Sequence, residues 1–434
     1  MLGLKYFTGV PPEGNGFEHV VQSLYQRVWL SDFFAKIRET FAVRLLLVLM
    51  GIITSVLVAR LLGPEGRGVY AVAMTIGAVG VQFGNLGLHA SNTYCVSRHR
   101  ELLPGLLSNT LVVGFGIGGL LAVLMWVVSS FWPGIAPLHG ALLLLSLAWI
   151  PFGLSYMLTQ NLLLGIDEVR AYNVIELVSR IIGLSLIGIL LLCEMITVEL
   201  LFATGFLGLL TGFIWSLWRL KSHLGRVPLP SITLFKTHIS YGLKAYAGAI
   251  FAFLVLRVDL LIVQYVLGAE EAGYYSVAVI MADMTYLLPT VIATLLFPRL
   301  AGMPLIADKW NVTKRVALMV GFVMMVFGGA AALLSEPVVR VVFGETFLPS
   351  ARAFVWLLPG IVMLSINTMF MTYFASIGMP LIVVYSPAVA TVLNITLNLK
   401  LLAWFGIIGA AMASTVSYGA MLIGSVLYVL WLRR

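Results

Sequence analysis

Seven ionisable side chains set into otherwise apolar stretches of this chain stand out: Arg44, Glu176, Arg180, Lys244, Arg257, Asp259 and Asp283. A charge set in such a stretch is costly in hydrocarbon, so it faces a bundle interior or a wet cavity, or reaches back to the surface. Four of the seven are bases and three are acids, a balance that leans mildly toward an anionic cargo. Glu176 and Arg180 are four residues apart, on one helical face, where they can satisfy each other. Arg44 and Lys244 lie within a turn or so of a segment end, from which long basic side chains snorkel to headgroups. Arg257 differs, because it sits roughly nine residues from its segment end, about 13 Å deep at about 1.5 Å per residue. Asp283 lies at much the same depth in the next, antiparallel segment. Arg257 with Asp283 or Asp259 is therefore either a neutralised structural pair or a cavity site with charge partly free. Arg257 and Asp259, two apart, do not share a helix face, so at least one needs a partner on another segment.

The elements that must position these groups are membrane spans. With 61% hydrophobic residues, 10% charged and a mean hydropathy of +1.03, the chain falls outside the range of soluble domains, which carry roughly 25% charged residues. A span needs about 20 mostly apolar residues. Twelve stretches qualify, near 41–59, 69–91, 105–130, 138–160, 174–193, 195–218, 241–266, 273–298, 316–335, 351–374, 381–402 and 406–431. The expectation is an all-α polytopic membrane protein. A polar stretch with Pro228, Pro230 and a basic cluster divides it into a first unit at 41–218, a cytoplasmic linker at 219–240 and a second unit at 241–434. Residues 1–40 fit no span and are either a surface amphipathic helix over Val20–Ile37 or a loose extension; no signal peptide is evident.

The two units repeat one another. LGPEGRGVYAVA at Leu62–Ala73 returns as LGAEEAGYYSVA at Leu267–Ala278, with seven of twelve positions identical, among them Gly63/Gly268, Gly68/Gly273 and Tyr70/Tyr275. The shift of 205 residues is near half the chain, which marks two six-span lobes and not a solenoid. Lysines and arginines fix the orientation. With a cytoplasmic N-terminus, fifteen of them fall on the inner side, and only Arg60, Arg67, Arg340, Arg352 and Lys400 on the outer. Both termini are then cytoplasmic, both repeated loops face outward, and the repeat is parallel.

Other chemistry is thin. Cys95 and Cys193 fall on opposite faces and form no disulfide, and the six histidines show no metal-ligand spacing. A phosphate loop, a zinc motif and a large extramembrane domain are all lacking, so neither ATP hydrolysis nor a cofactor is expected. Pro151 and Pro359 occupy similar places in the two halves, and Pro289 has Gly84 as its repeat mate. These four positions are hinge candidates, or static kinks.

The run RLLGPEGRGVYAVAMTIGAVGVQFGNLGL from Arg60 and its partner LRVDLLIVQYVLGAEEAGYYSVAVIMADMTYLLPTVIATLLFPRLA from Leu256 resemble the polysaccharide transport family of the MOP exporter superfamily. The likeness covers about residues 36–434 and rests on the LG-x-E-x-x-G-x-Y loop and an aspartate in span 7, here Asp259. It implies twelve to fourteen spans in two lobes around a central cavity, which with the span count above gives a MATE-like fold of about twelve helices in two parallel six-helix repeats, in the bacterial inner membrane. It also implies flipping of an oligosaccharide linked through diphosphate to a polyprenol. On that reading Arg257, Arg44, Arg180 and Lys244 are the candidates to hold the diphosphate. Asp259, Asp283 and Glu176 serve coupling or structure. Tyr156, Tyr172, Tyr246, Tyr286 and Tyr373 either stack on sugars or pack. The partners are the lipid-linked oligosaccharide, membrane lipids and glycan-synthesis proteins, with no nucleic acid. The rival readings are a cation-coupled multidrug exporter of the same superfamily, whose cargo would favour a carboxylate-rich interior, and a membrane glycan polymerase or ligase, which would need larger outer loops.

Overall fold

The computed structural model describes residues 16–131, 138–225 and 229–432. Side chains at 16–38 and at several positions near the start of span 7, Lys244 among them, lie outside the described set. The amphipathic face expected over Val20–Ile37 falls there too, although the backbone from Gly16 onward is helical.

Thirteen α-helices follow one another: α1 (Gly16–Gly84), α2 (Leu88–Arg98), α3 (Leu103–Val112), α4 (Gly118–Phe131), α5 (Gly140–Gly165), α6 (Val169–Leu192), α7 (Val198–Lys221), α8 (Ile232–Leu267), α9 (Ala269–Ala301), α10 (Ile306–Val342), α11 (Pro349–Ser376), α12 (Ile382–Phe405) and α13 (Ile407–Leu432). Helices dominate because hydrocarbon offers no partner to a backbone N–H or C=O, and a helix pairs both within itself. Eleven described stretches are long and apolar enough to cross a bilayer, and the first, Ala42–Gly84, is 43 residues long and holds two spans. Its corner is Gly63, at φ 66° and ψ −175°, followed by Pro64. Glycine reaches positive φ without a steric penalty, and proline suits a first helical turn. The repeat mate Gly268 makes the same corner between α8 and α9, at φ 93° and ψ −177°.

Three details depart from the sequence expectation. The second span is not continuous to residue 91: the chain breaks after Gly84, where Leu86 and Gly87 take positive φ, and resumes as α2. The carbonyl of Phe83, left without a helical partner, accepts the Tyr246 hydroxyl of α8 at 2.7 Å. The third span holds a π-helical turn at Val113–Ile117, beneath which Gly114 lies so close to Ser155 of α5 that a Cβ would overlap its hydroxyl. The stretch read as the linker is helical at both ends, with α7 running to Lys221 and α8 beginning at Ile232. Helices α5, α9 and α11 run through Pro151, Pro289 and Pro359 without interruption.

Most of each half packs within itself. One large cluster gathers buried side chains mainly of α8 to α13, including Tyr275, Phe354, Phe374 and Tyr418, with Ala59 and Ala71 of α1 joining it. Three smaller ones serve α1 to α7, around Phe202 and Tyr70, around Leu162 and Leu163, and around Leu154 and Leu158. The repeated loops meet each other, so they lie on one face of the bundle. That contact is what parallel repeats require.

Candidate functional site

The charged side chains assemble into two groups, one in each half. In the first, Tyr172 of α6 lies beside Glu176 one turn on, with Arg44 of α1 and Tyr156 of α5 within electrostatic reach. Arg180 is exposed and lies near Tyr156 and Tyr70. The expected Glu176–Arg180 pair does not form: among the described residues no ion pair joins them, and Tyr172 is the neighbour that lies against Glu176. Tyr172 and Arg180 are each four residues from Glu176, and the arginine turns away to an open surface. Arg44 is likewise exposed.

In the second group Arg257 Nη2 lies 2.9 Å from Asp283 Oδ2, linking α8 to α9. The pair is incompletely covered, with side-chain exposures of 33% for Arg257 and 44% for Asp283. It therefore borders open space while its charges offset each other. Asp259, two residues on, turns the other way and is 2% exposed. Its carboxylate accepts three hydrogen bonds, from the Leu260 N–H at 2.8 Å, the Tyr275 hydroxyl at 2.6 Å and the Ser414 hydroxyl at 3.0 Å. A polar chain continues from there through α12: the Asn394 amide donates to Ser414 Oγ at 3.1 Å, and the Asn398 amide to Asn394 Oδ1 at 2.9 Å. Leu256, Asp259, Tyr275, Asp283, Tyr286 and Tyr418 border a narrow cavity between α8, α9, α11 and α13. Among the described residues no group of three His, Cys, Asp or Glu is placed to hold a metal.

Several polar residues of the interior escaped the sequence reading. Arg67, counted there as an outer-loop base, is 6% exposed, its Nε donating to Ser276 Oγ at 3.2 Å and its guanidinium lying 5.6 Å from the Tyr70 ring centroid. Nothing local signals this, because the cover comes from the other half of the chain. Ser414, Asn394 and Asn398 carry no charge and look like ordinary polar punctuation of a span. The signal that could have found them is their helical spacing: Asn394 and Asn398 are four apart, on one face of α12. Of the tyrosines singled out, Tyr246 binds a backbone carbonyl and Tyr286 bonds Thr368 at 2.6 Å. Tyr373 packs edge-on against Trp310. Both cysteines are free thiols.

Twelve spans in two repeated halves, with a partly open charged group in each, define a multi-pass membrane transporter fold. The chain belongs to the polysaccharide biosynthesis protein family, whose sequence profile matches residues 57–352. It is 21% identical over 259 residues to a probable low-salt glycan biosynthesis flippase, Agl15, of Haloferax volcanii. That alignment takes in 59% of this chain and 53% of the relative, so the chain spans about half the relative's length. Two solved structures share its fold. A MATE family multidrug resistance transporter of the MOP superfamily, inward-facing, superposes with a TM-score of 0.73 at 12% identity, over 89% of this chain and 94% of that one. The lipid II flippase MurJ, inward closed, gives 0.73 at 13% identity, over 90% and 87%.

Proposed function

We infer that this protein is a flippase that moves an oligosaccharide, carried on a polyprenyl diphosphate, across the bacterial inner membrane by alternating access, and that it is not an enzyme. The observation that carries the reading is the Arg257–Asp283 pair, closed by a hydrogen-bonded contact yet one-third to nearly one-half exposed in the middle of apolar spans. A guanidinium so placed presents a planar fork to a phosphate while Asp283 balances it in the empty state. Exposed Arg180 and Arg44 extend the basic lining in the first half, and Lys244 is assigned to it from sequence. Asp259, with its carboxylate fully engaged by hydroxyls and a backbone N–H, has a structural role. Glu176, only partly buried beside Tyr172, is the carboxylate better placed to respond to cargo or ion. Both termini and the 219–240 linker are assigned to the cytoplasm, and Gly84, Pro151, Pro289 and Pro359 to bending of the two units, 41–218 and 241–434.

The test is a series at Arg257 in proteoliposomes holding a lipid-linked oligosaccharide. Arg257→Ala is expected to abolish flipping with the protein stably inserted. Arg257→Lys should restore only part of it, because lysine keeps the charge and loses the fork. A double change of Arg257 and Asp283 to apolar residues removes a purely structural pair without leaving a lone charge. Full flipping by that double variant would overturn the substrate-binding role.

A further inference from the structure

The two copies of the repeated loop touch through their glycines. A Cβ on Gly68 would overlap the carbonyl oxygen of Ala269 and stand 2.8 Å from the Gly273 nitrogen. A Cβ on Gly273 would overlap the carbonyl oxygen of Pro64. Pro64 and Ala269 are themselves repeat mates, as are Gly68 and Gly273. The contact is thus reciprocal, as at a two-fold axis, with backbone laid directly on backbone between α1 and α9.

Two arginines hold this seam from one side. Arg60 of the first half reaches the end of α10, its Nε donating to the Val342 carbonyl at 2.8 Å and its Nη2 to the Val341 carbonyl. Those oxygens belong to the last turn of a helix, where carbonyls lack intrahelical donors and a cation is favoured. Arg67 crosses to Ser276 of α9 and is desolvated by the closure, with no carboxylate within ion-pair distance among the described residues. A guanidinium covered in this way regains water as soon as the halves separate, so the seam is held by hydrogen bonds yet is not irreversibly stable.

We propose that Gly68 and Gly273 form the outer seal of the transport path, latched by Arg60 and Arg67, and that the halves must part at these two glycines for cargo to leave. The inference rests on the transport reading above for its purpose, while its geometry is independent of which cargo is moved. Replacing either glycine by alanine leaves the helices intact, since alanine is the better helix former. The added methyl meets backbone, which cannot swing aside as a side chain could, so the closed arrangement is lost.

The experiment measures distances across the outer face by double electron–electron resonance on the full-length protein in lipid nanodiscs. Spin labels go on Leu192→Cys, at the outer end of α6, and Glu345→Cys, beyond α10, in a Cys95→Ser, Cys193→Ser background. Wild type is expected to give a dominant short-distance population. In the Gly68→Ala, Gly273→Ala double variant that population should fall about tenfold or more, with a longer distance replacing it. Gly51→Ala, where a Cβ meets nothing within 4 Å, should match wild type. Arg60→Ala leaves the backbone contact in place and loses the latch, and should lower the closed-to-open ratio by about tenfold, the usual worth of a hydrogen bond from a charged group. An unchanged distance distribution in the double glycine variant overturns the proposal. If that variant does not accumulate folded, an unchanged distribution in Arg60→Ala overturns it instead. Because the distances need no substrate, absence of flipping by wild-type protein would remove the cargo assignment and leave the seal standing.

Discussion

Substituting Asp259 separates a structural carboxylate from a working one, and its surroundings set the scale. The side chain is 2% exposed and accepts from Leu260 N, Tyr275 Oη and Ser414 Oγ. Asp259→Ala takes that acceptor away from two buried hydroxyls. Tyr275, fully buried, is left with an unpaired donor at a cost of about 1–3 kcal/mol. Ser414 loses less, because a serine in a helix can turn its hydroxyl to the carbonyl one turn back. Removing a buried charge offsets part of this, so a net loss on the order of 1–3 kcal/mol is expected. Tyr275→Phe, which deletes only the donor, should cost about 1–2 kcal/mol. The double variant Asp259→Ala, Tyr275→Phe is the decisive member, since the alanine change has already forfeited the tyrosine's bond. Its loss should fall below that of Asp259→Ala alone, because the stranded hydroxyl is gone, and well short of the sum of the singles. The assay is reversible unfolding in mixed micelles, with the surviving folded fraction followed by size-exclusion chromatography. Strict additivity, or an Asp259→Ala protein as stable as wild type, would refute the hydrogen-bonded role.

Two further outcomes follow from geometry already given. Reporter fusions after Arg434 and within 219–240 should read cytoplasmic, and one in the Gly268–Gly273 loop external; an external linker would overturn the topology. Tyr246→Phe leaves the Phe83 carbonyl unpaired at the helix break, a loss of about 1 kcal/mol. Hydrogen exchange in a peptide covering 83–89 should therefore speed up, and an unaltered rate would show that the tyrosine does not hold the break.

The spans were legible because hydrocarbon imposes one rule along the whole chain, and the corners at Gly63 and Gly268 announced themselves as matching positions in a repeat. The Arg257–Asp283 match in depth was legible for a related reason: the rise of a helix is fixed, so two residues equally far from a shared corner lie level. Where geometry offers equals, the sequence is silent. Tyr172 and Arg180 are spaced alike from Glu176, and only the packing around α6 leaves the arginine exposed and unpaired with that carboxylate. The burial of Arg67 was not legible because its cover is supplied by residues more than 200 positions away, among them Ser276. The break after Gly84 has a local mark in the Gly84 to Gly87 run, whereas the π turn at Val113–Ile117 sits against Ser155 of α5, which no local pattern encodes.

The reciprocal seam between Gly68 and Gly273 also bears on how such a chain can arise. In a homodimer of a single six-span half, one codon would specify both glycines, and any change there would strike the contact twice. Joining the halves into one chain splits that codon into two, free to drift apart wherever the lobes do not touch. At the seam they remain bound to each other, because each glycine leaves room for the other copy's backbone and not for its own.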